Sequence, residues 1–293
     1  MPFETQDPCY DSNKNENKQT SWNKQQLYSY NDIPLYLQTN SFILNSYRHD
    51  LTIKNCLFSL FLLHNETFNI WTHLSCAIVF IYLFINDFKK FSTAKLDDFI
   101  VILFYTFSVI FCTLASTIFH MFNCCSSKAY HLCLKCDILG IAIAIFGGYI
   151  WNFQWMFKCF TYTRIFYQLI IALIILCVIV YYLKQPQFNS MLFISVPMAG
   201  ILPIIHCVYL YGGWEQEFIQ YFCVNMFVYY TVVGIGILFY RTKTPERFFP
   251  GRFDIFASSH QIWHIFSIIS YFWLYISGIQ LMEYHLKNPC INQ

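Results

Sequence analysis

Ser116 and His120 stand four residues apart, as do His260 and His264, and Asp137 follows the first pair across a short polar stretch. On a helix, residues four apart project from one face a turn apart, so each pair presents its polar groups together. Three imidazoles are enough to hold a tetrahedral zinc ion while leaving a fourth position for water, the catalytic rather than the closed structural pattern. A nearby carboxylate such as Asp137 suits orienting that water or taking its proton. The competing reading is plainer: histidines near helix ends often bond a carbonyl or reach for an interface. Residue types and spacing leave a metal site and an interfacial polar network both open.

These residues matter together only if the chain brings them to one place. Of 293 residues 57% are apolar, 21% aromatic and 12% charged, whereas a soluble domain carries roughly a quarter charged residues. Residues 99–120, 138–157, 165–183, 218–240 and 255–282 contain no Asp, Glu, Lys or Arg. An all-α integral membrane protein is expected, a seven-helix bundle with spans near 70–86, 99–120, 137–157, 165–183, 191–211, 218–240 and 260–282. Each approaches or exceeds the roughly 20 residues that cross about 30 Å of hydrocarbon. Pro197 and Pro203 in the fifth run imply a kink, with neighbouring helices satisfying the freed carbonyls.

Residues 1–50, rich in Asn, Lys and Gln, are expected to form a flexible tail, because they bury too little surface to offset the entropy of ordering. No basic region followed by an apolar stretch and cleavage site precedes the first run, so no removable signal peptide is expected. Residues 51–64 contain an apolar stretch too short to span and are read as an interfacial helix, with 65–293 forming the membrane domain. With the N-terminus inside, twelve Lys and Arg fall on that side and six on the other. Cytoplasmic loops carry the excess, so the N-terminus is placed in the cytoplasm and the C-terminus outside. His120, Asp137, His260 and His264 then meet in the cytoplasmic leaflet, where ionisable groups by default mark function. His64 and His73 also fall near that face, whereas His206 lies too far away.

A net charge of +2, thinly spread, gives no case for nucleic acid. Thirteen cysteines, many in apolar runs, do not resemble a secreted disulfide framework and read mostly as small hydrophobes. Cys124, Cys125, Cys133 and Cys136 with His131 are a weak candidate for a second soft-metal site; juxtamembrane cysteines are more often acylated or idle. Asn65-Glu66-Thr67 is formally a glycosylation sequon, but on this topology it faces the cytosol and stays bare.

The run Asn65-Glu66-Thr67-Phe68-Asn69-Ile70-Trp71-Thr72-His73, then Ser116 with His120 and Asp137, then Pro245-Glu246-Arg247-Phe248-Phe249-Pro250-Gly251 and Ser259-His260-Gln261-Ile262-Trp263-His264, together resemble the progestin and adipoQ receptor family, related to hemolysin III proteins. The resemblance covers roughly residues 33–290. It implies an N-in seven-helix receptor with one zinc ion held by His120, His260 and His264, Asp137 holding the zinc-bound water and Ser116 one turn above. His64 and His73 match no ligand and are relegated to interfacial residues. Adiponectin-receptor members of the family are associated with ceramidase activity, which implies hydrolysis of a membrane lipid amide. The ending, from Lys243-Thr244-Pro245 to Lys287-Asn288-Pro289-Cys290, resembles that of a family member associated with trapping Raf kinase at the Golgi. That implies a non-enzymatic alternative, a tether for a Raf-type cytosolic kinase at the Golgi membrane, with the plasma membrane as the other location. Whether the protein is an enzyme, and whether its zinc is catalytic or structural, stays open in the sequence.

Overall fold

The computed structural model describes residues 26–92, 95–184 and 195–290. Its long elements are all helical: α1 (Ile53–Ser59), α2 (Thr67–Ser92), α3 (Leu96–Phe122), α4 (Ser127–Met156), α5 (Thr161–Lys184), α6 (Ile201–Leu210), α7 (Glu217–Thr242) and α8 (Ser259–Lys287). Six of these helices, α2 to α5, α7 and α8, are long and apolar enough to cross a membrane, the last five of them over the charge-free runs. The chain is a multi-pass membrane protein.

The fifth expected span, 191–211, lies partly outside the described residues. What is described there, Ser195–Leu210, is a shorter apolar helix interrupted by a turn at Ala199 and Gly200. At the break the carbonyls of Val196 and Pro197 accept hydrogen bonds from the Tyr149 hydroxyl at 2.8 and 3.0 Å, and Pro197 accepts another from Tyr230 at 3.1 Å. Neighbouring helices thus satisfy the kink, as expected of proline in a bundle.

Small residues let α3 and α4 approach closely. A Cβ on Gly140 would sit 3.0 Å from the Cys112 backbone, and one on Gly147 would sit 2.0 Å from the Ser108 hydroxyl. Because Gly140 lies less than a turn from Asp137, and Cys112 a turn before Ser116, this close approach sets the distance between the polar groups of the two helices. Farther along, Trp151 stacks on Tyr105, donates to the Leu274 carbonyl at 2.7 Å and occupies the space left by Gly278 of α8. This aromatic layer ties α4 to both neighbours.

The segment before α1 departs from the composition-based expectation. Residues 1–25 lie outside the described residues, but 26–50, read as part of a flexible tail, pack on the bundle. Ile33, Leu37, Ile43 and Tyr47 are buried against Phe119 and Tyr130, and Tyr28 bridges Tyr47 in an antiparallel pair. Asp254 accepts from the Leu44 and Asn45 backbone amides, both at 2.9 Å. A few apolar residues aimed at one surface suffice, a pattern that average composition dilutes. Thr52 caps α1, whose Ile53, Leu57 and Phe58 point outward.

The cysteine expectation also needs amendment. Cys159, after α4, and Cys290, after α8, form a disulfide. The other ten described cysteines are free.

Candidate metal centre

α3 delivers His120 at its last turn, and α8 delivers His260 and His264 from its first two turns. The start of α8 is fixed by a capping box between Ser258 and Gln261. Glu246, fully buried, accepts from the Ser259 backbone amide at 2.8 Å, from the Ser259 hydroxyl, and from Asn40 at 3.1 Å. A carboxylate at a helix N-terminus also complements the helix dipole. The two histidines thus leave α8 from an anchored end.

The ligand atoms of His120, His260 and His264 all lie within 4.8 Å of one another. His120 Nδ1 is 2.8 Å from Glu66 Oε2, and His264 Nδ1 is 3.2 Å from Thr72 Oγ1. An ionised carboxylate only accepts, and the Thr72 hydroxyl already donates to the Phe68 carbonyl at 2.7 Å, so both Nδ1 atoms carry the hydrogen. Each ring therefore keeps its Nε2 lone pair free. His120 Nε2 and His260 Nε2 face each other at 3.2 Å, close to the about 3.3 Å that separates two imidazole nitrogens on one tetrahedral zinc at about 2.05 Å. The donor set fits zinc.

Glu66 is the residue whose role sequence reasoning missed, having been read as the centre of a sequon and as part of the run 65–73 without a place at the metal. It accepts from Asn69 at 2.6 Å and Asn123 at 3.2 Å besides binding His120. Burial pushes its carboxyl up, but the charge and hydrogen bond of His120, the bond from Asn69 and the nearby Arg48 outweigh that and hold it below the usual carboxylate range. Thr72 and Glu246 were likewise unassigned. A signal existed for Glu66 alone, as a carboxylate at the same end of the bundle as His120.

Asp137, half-buried at the start of α4, lies beside the Ser116 side chain and feels the charge of His120. It is not among the three converging groups. His64 and His73 are not interfacial, contrary to the expectation. His64 is fully buried, its Nδ1 accepting from the Glu66 amide at 3.1 Å and its Nε2 donating to the Ser59 carbonyl at 3.2 Å, so it shapes the turn that presents Glu66. His73 is buried and stacked on His264. His206 stands apart, bonded to Tyr167 at 2.9 Å. A cavity of about 220 Å³, lined by His120, His260, Glu66, Arg48, Tyr47 and Asp254 among others, adjoins the histidines. Of the proposed soft-metal cysteines, Cys124 and Cys125 turn toward Cys56 of α1, and Cys136 is exposed.

The model of the haemolysin-III related family matches residues 61–275, spanning the three histidines, Glu66, Thr72 and Asp137. The chain belongs to that family. Members of the family similar to it include Progestin and adipoQ receptor family member 3 of Mus musculus, 34% identical over 275 residues that cover 90% of this chain and 88% of the relative. The Homo sapiens protein of the same name is 35% identical over the same length. Heptahelical transmembrane protein 1 of Arabidopsis thaliana is 31% identical over 294 residues, covering 93% of this chain and 86% of the plant protein. The haemolysin-III related match thus extends over nearly the whole bundle.

Proposed function

We propose that this protein holds one zinc ion on His120, His260 and His264 and uses it to hydrolyse the amide of a membrane lipid, ceramide being the first substrate to try. One observation carries the reading: three imidazole nitrogens converge, two of them fixed by Glu66 and Thr72, and no fourth protein donor among the described residues closes the set. An open position is what a catalytic site needs and a structural site lacks. When bound, zinc lowers the pKa of a coordinated water to about 7 and polarises a carbonyl. Glu66 keeps the His120 ring oriented and Thr72 does the same for His264. Asp137, with Ser116 beside it, takes the proton from the attacking water and returns it to the leaving amine. The lipid enters sideways between helices, its amide reaching the histidines.

The same reading places seven spans in the membrane, the described 195–210 helix belonging to the fifth, with the N-terminus and α1 at the cytoplasmic face. Besides the excess of Lys and Arg on that side, cysteine chemistry supports the orientation. The disulfide lies at the end away from the histidines, while the close thiols of Cys56, Cys124 and Cys125 at the histidine end stay free. That division matches an oxidising compartment on one side and the reducing cytosol on the other. Tags before Met1 and after Gln293 should be reached from opposite sides of a sealed membrane; reaching both from one side would refute seven spans.

A second reading has its own support. The packed segment 26–50 and the resemblance of the ending to a Raf-trapping relative favour a tether that holds a Raf-type kinase at the Golgi membrane. Labelled ceramide supplied to the full chain in nanodiscs separates the two. Under the hydrolase reading, Asp137→Asn releases roughly 10²–10⁴-fold less fatty acid than wild type while keeping its zinc. Equal release from both, or none above empty nanodiscs, leaves the tether as the function.

A further inference from the structure

Beneath the histidine centre, three cysteines from two elements meet. Cys56 in α1 is fully buried, and its Sγ lies 3.6 Å from that of Cys124 and 3.3 Å from that of Cys125, both in the turn after α3. Cys124 is buried and Cys125 is partly exposed. A disulfide bond is about 2.0 Å long, so the Cys56 and Cys125 sulfurs need to close by only about 1.3 Å to join.

The surroundings link these thiols to the rest of the centre. The Cys56 carbonyl accepts from the Ser59 hydroxyl at 2.7 Å; Arg48 donates to the Ser59 oxygen at 2.6 Å through Nη1 and to the His120 carbonyl at 2.8 Å through Nη2. α1 is therefore already held by hydrogen bonds to the turn that carries His120. The Cys56 thiol retains its proton, pushed up first by its hydrogen bond with Cys124 and then by burial. Burial also raises Cys125, opposed by the hydrogen bond from Cys56 and the charge of Arg48.

We infer that Cys125 and Cys56 form a reversible disulfide when the protein meets a peroxide, Cys125 being the thiol oxidised first and Cys56 the one that resolves it. Exposure selects Cys125, since it is the member of the trio that solvent reaches most readily, and distance selects Cys56. The Cys125 sulfur attacks one oxygen of hydrogen peroxide, the O–O bond breaks, and the Cys125 proton leaves with the departing oxygen as water, giving a sulfenic acid. The Cys56 sulfur then attacks the sulfenic sulfur; the S–O bond breaks and the oxygen leaves as a second water, taking the Cys56 proton. Two thiols lose two electrons to one peroxide. Two molecules of reduced glutathione restore the thiols by exchange. The product staples α1 covalently to the turn after α3, where the resting protein has hydrogen bonds and the apolar packing of Cys56 against Met121 and Cys124. The inference does not depend on zinc or on lipid hydrolysis.

The test uses the full chain in nanodiscs, treated with hydrogen peroxide, then denatured, alkylated and mapped by peptide mass spectrometry. A linked Cys56–Cys125 peptide is expected, with about a tenfold loss of alkylatable Cys56 that glutathione reverses. Cys56→Ser should instead leave Cys125 as a sulfenic acid trapped by dimedone, and Cys125→Ser should yield no link to Cys56. The Cys159–Cys290 disulfide serves as the check that each variant has folded. Cys56 remaining fully alkylatable once folded, peroxide-treated protein is denatured overturns the inference, as does a Cys56 link that persists in Cys125→Ser.

Discussion

The imidazole of His73 lies flat on that of His264, with ring centroids 3.7 Å apart and planes inclined by 11°. Both His73 nitrogens are buried without a hydrogen-bond partner among the described residues, so the contact is one of ring faces rather than polar atoms. α2 thereby supports the second α8 histidine twice, through this stack and through Thr72. Replacing His73 with Phe preserves the stack and removes two unsatisfied polar atoms, whose burial costs about 1–3 kcal/mol each. His73→Phe should melt no lower than wild type and retain its zinc. A lower melting temperature or lost zinc would show that the His73 nitrogens bind something.

Zinc content follows from the ligand count. Purified protein should contain about one zinc per chain, and His260→Ala or His264→Ala should lose it, since two protein ligands are too few. Asp137→Ala should retain most of it. Elemental analysis showing full occupancy in the His260→Ala, His264→Ala double variant would dispose of the site.

Glu66 acts on the metal through His120, so its removal should weaken binding without abolishing it. Glu66→Gln should lower zinc affinity by roughly 10–100-fold, the usual effect of losing a carboxylate behind a histidine ligand. Competition with a chelator of known affinity measures this. Unchanged affinity would mean that Glu66 serves the fold alone.

The close approach of α3 and α4 makes Gly147 sensitive to a single methyl group. Its Cβ would lie 2.0 Å from the Ser108 Oγ and 2.6 Å from the Ser108 Cβ, so Gly147→Ala should cost about 1–3 kcal/mol through overpacking. Adding Ser108→Gly should recover most of the loss in melting temperature. No recovery would place the strain elsewhere.

His64 predicts a pH dependence. Burial, then the charge of Arg48, hold its pKa down to about 3, against about 6.5 in an unfolded chain. Above about 6.5 neither state binds the proton, and His64 contributes no slope. Below that, the unfolded chain takes up a proton that the folded protein refuses, so stability falls as pH drops toward about 3. The melting temperature of wild type should therefore decline more between pH 7 and about 5 than that of His64→Asn. Parallel declines would remove His64 from the account.

Much of the bundle was legible because membrane burial requires long uninterrupted apolar runs. His260 and His264 were legible as a pair because helix periodicity fixes which residues share a face. Periodicity does not say which helices abut, so although Glu66 and His73 fall at the same end of the bundle as His120, the particular contacts that Glu66, Thr72 and His73 make with α3 and α8 were not legible. Ile33, Leu37, Ile43 and Tyr47 were diluted in a polar window, and their packing depends on a surface made by Phe119 and Tyr130. The fifth apolar run was read as one span kinked by its prolines; which side chains would meet the kink, Tyr149 and Tyr230 from other helices, was not legible. The pairing of Cys159 with Cys290, 131 residues apart, has no local signature.

That cross-link gives the molecule a mechanical property. α4 and α8 are pinned together just beyond their far ends by a covalent bond, and their near ends carry Asp137 on one and His260 and His264 on the other. Each helix is thus a lever with a fixed pivot, and Trp151, wedged into the notch at Gly278 between them, sets the angle. Such levers do not slide past each other; they swing, so a small change of tilt near the pivot becomes a larger change in the spacing between Asp137 and the two histidines.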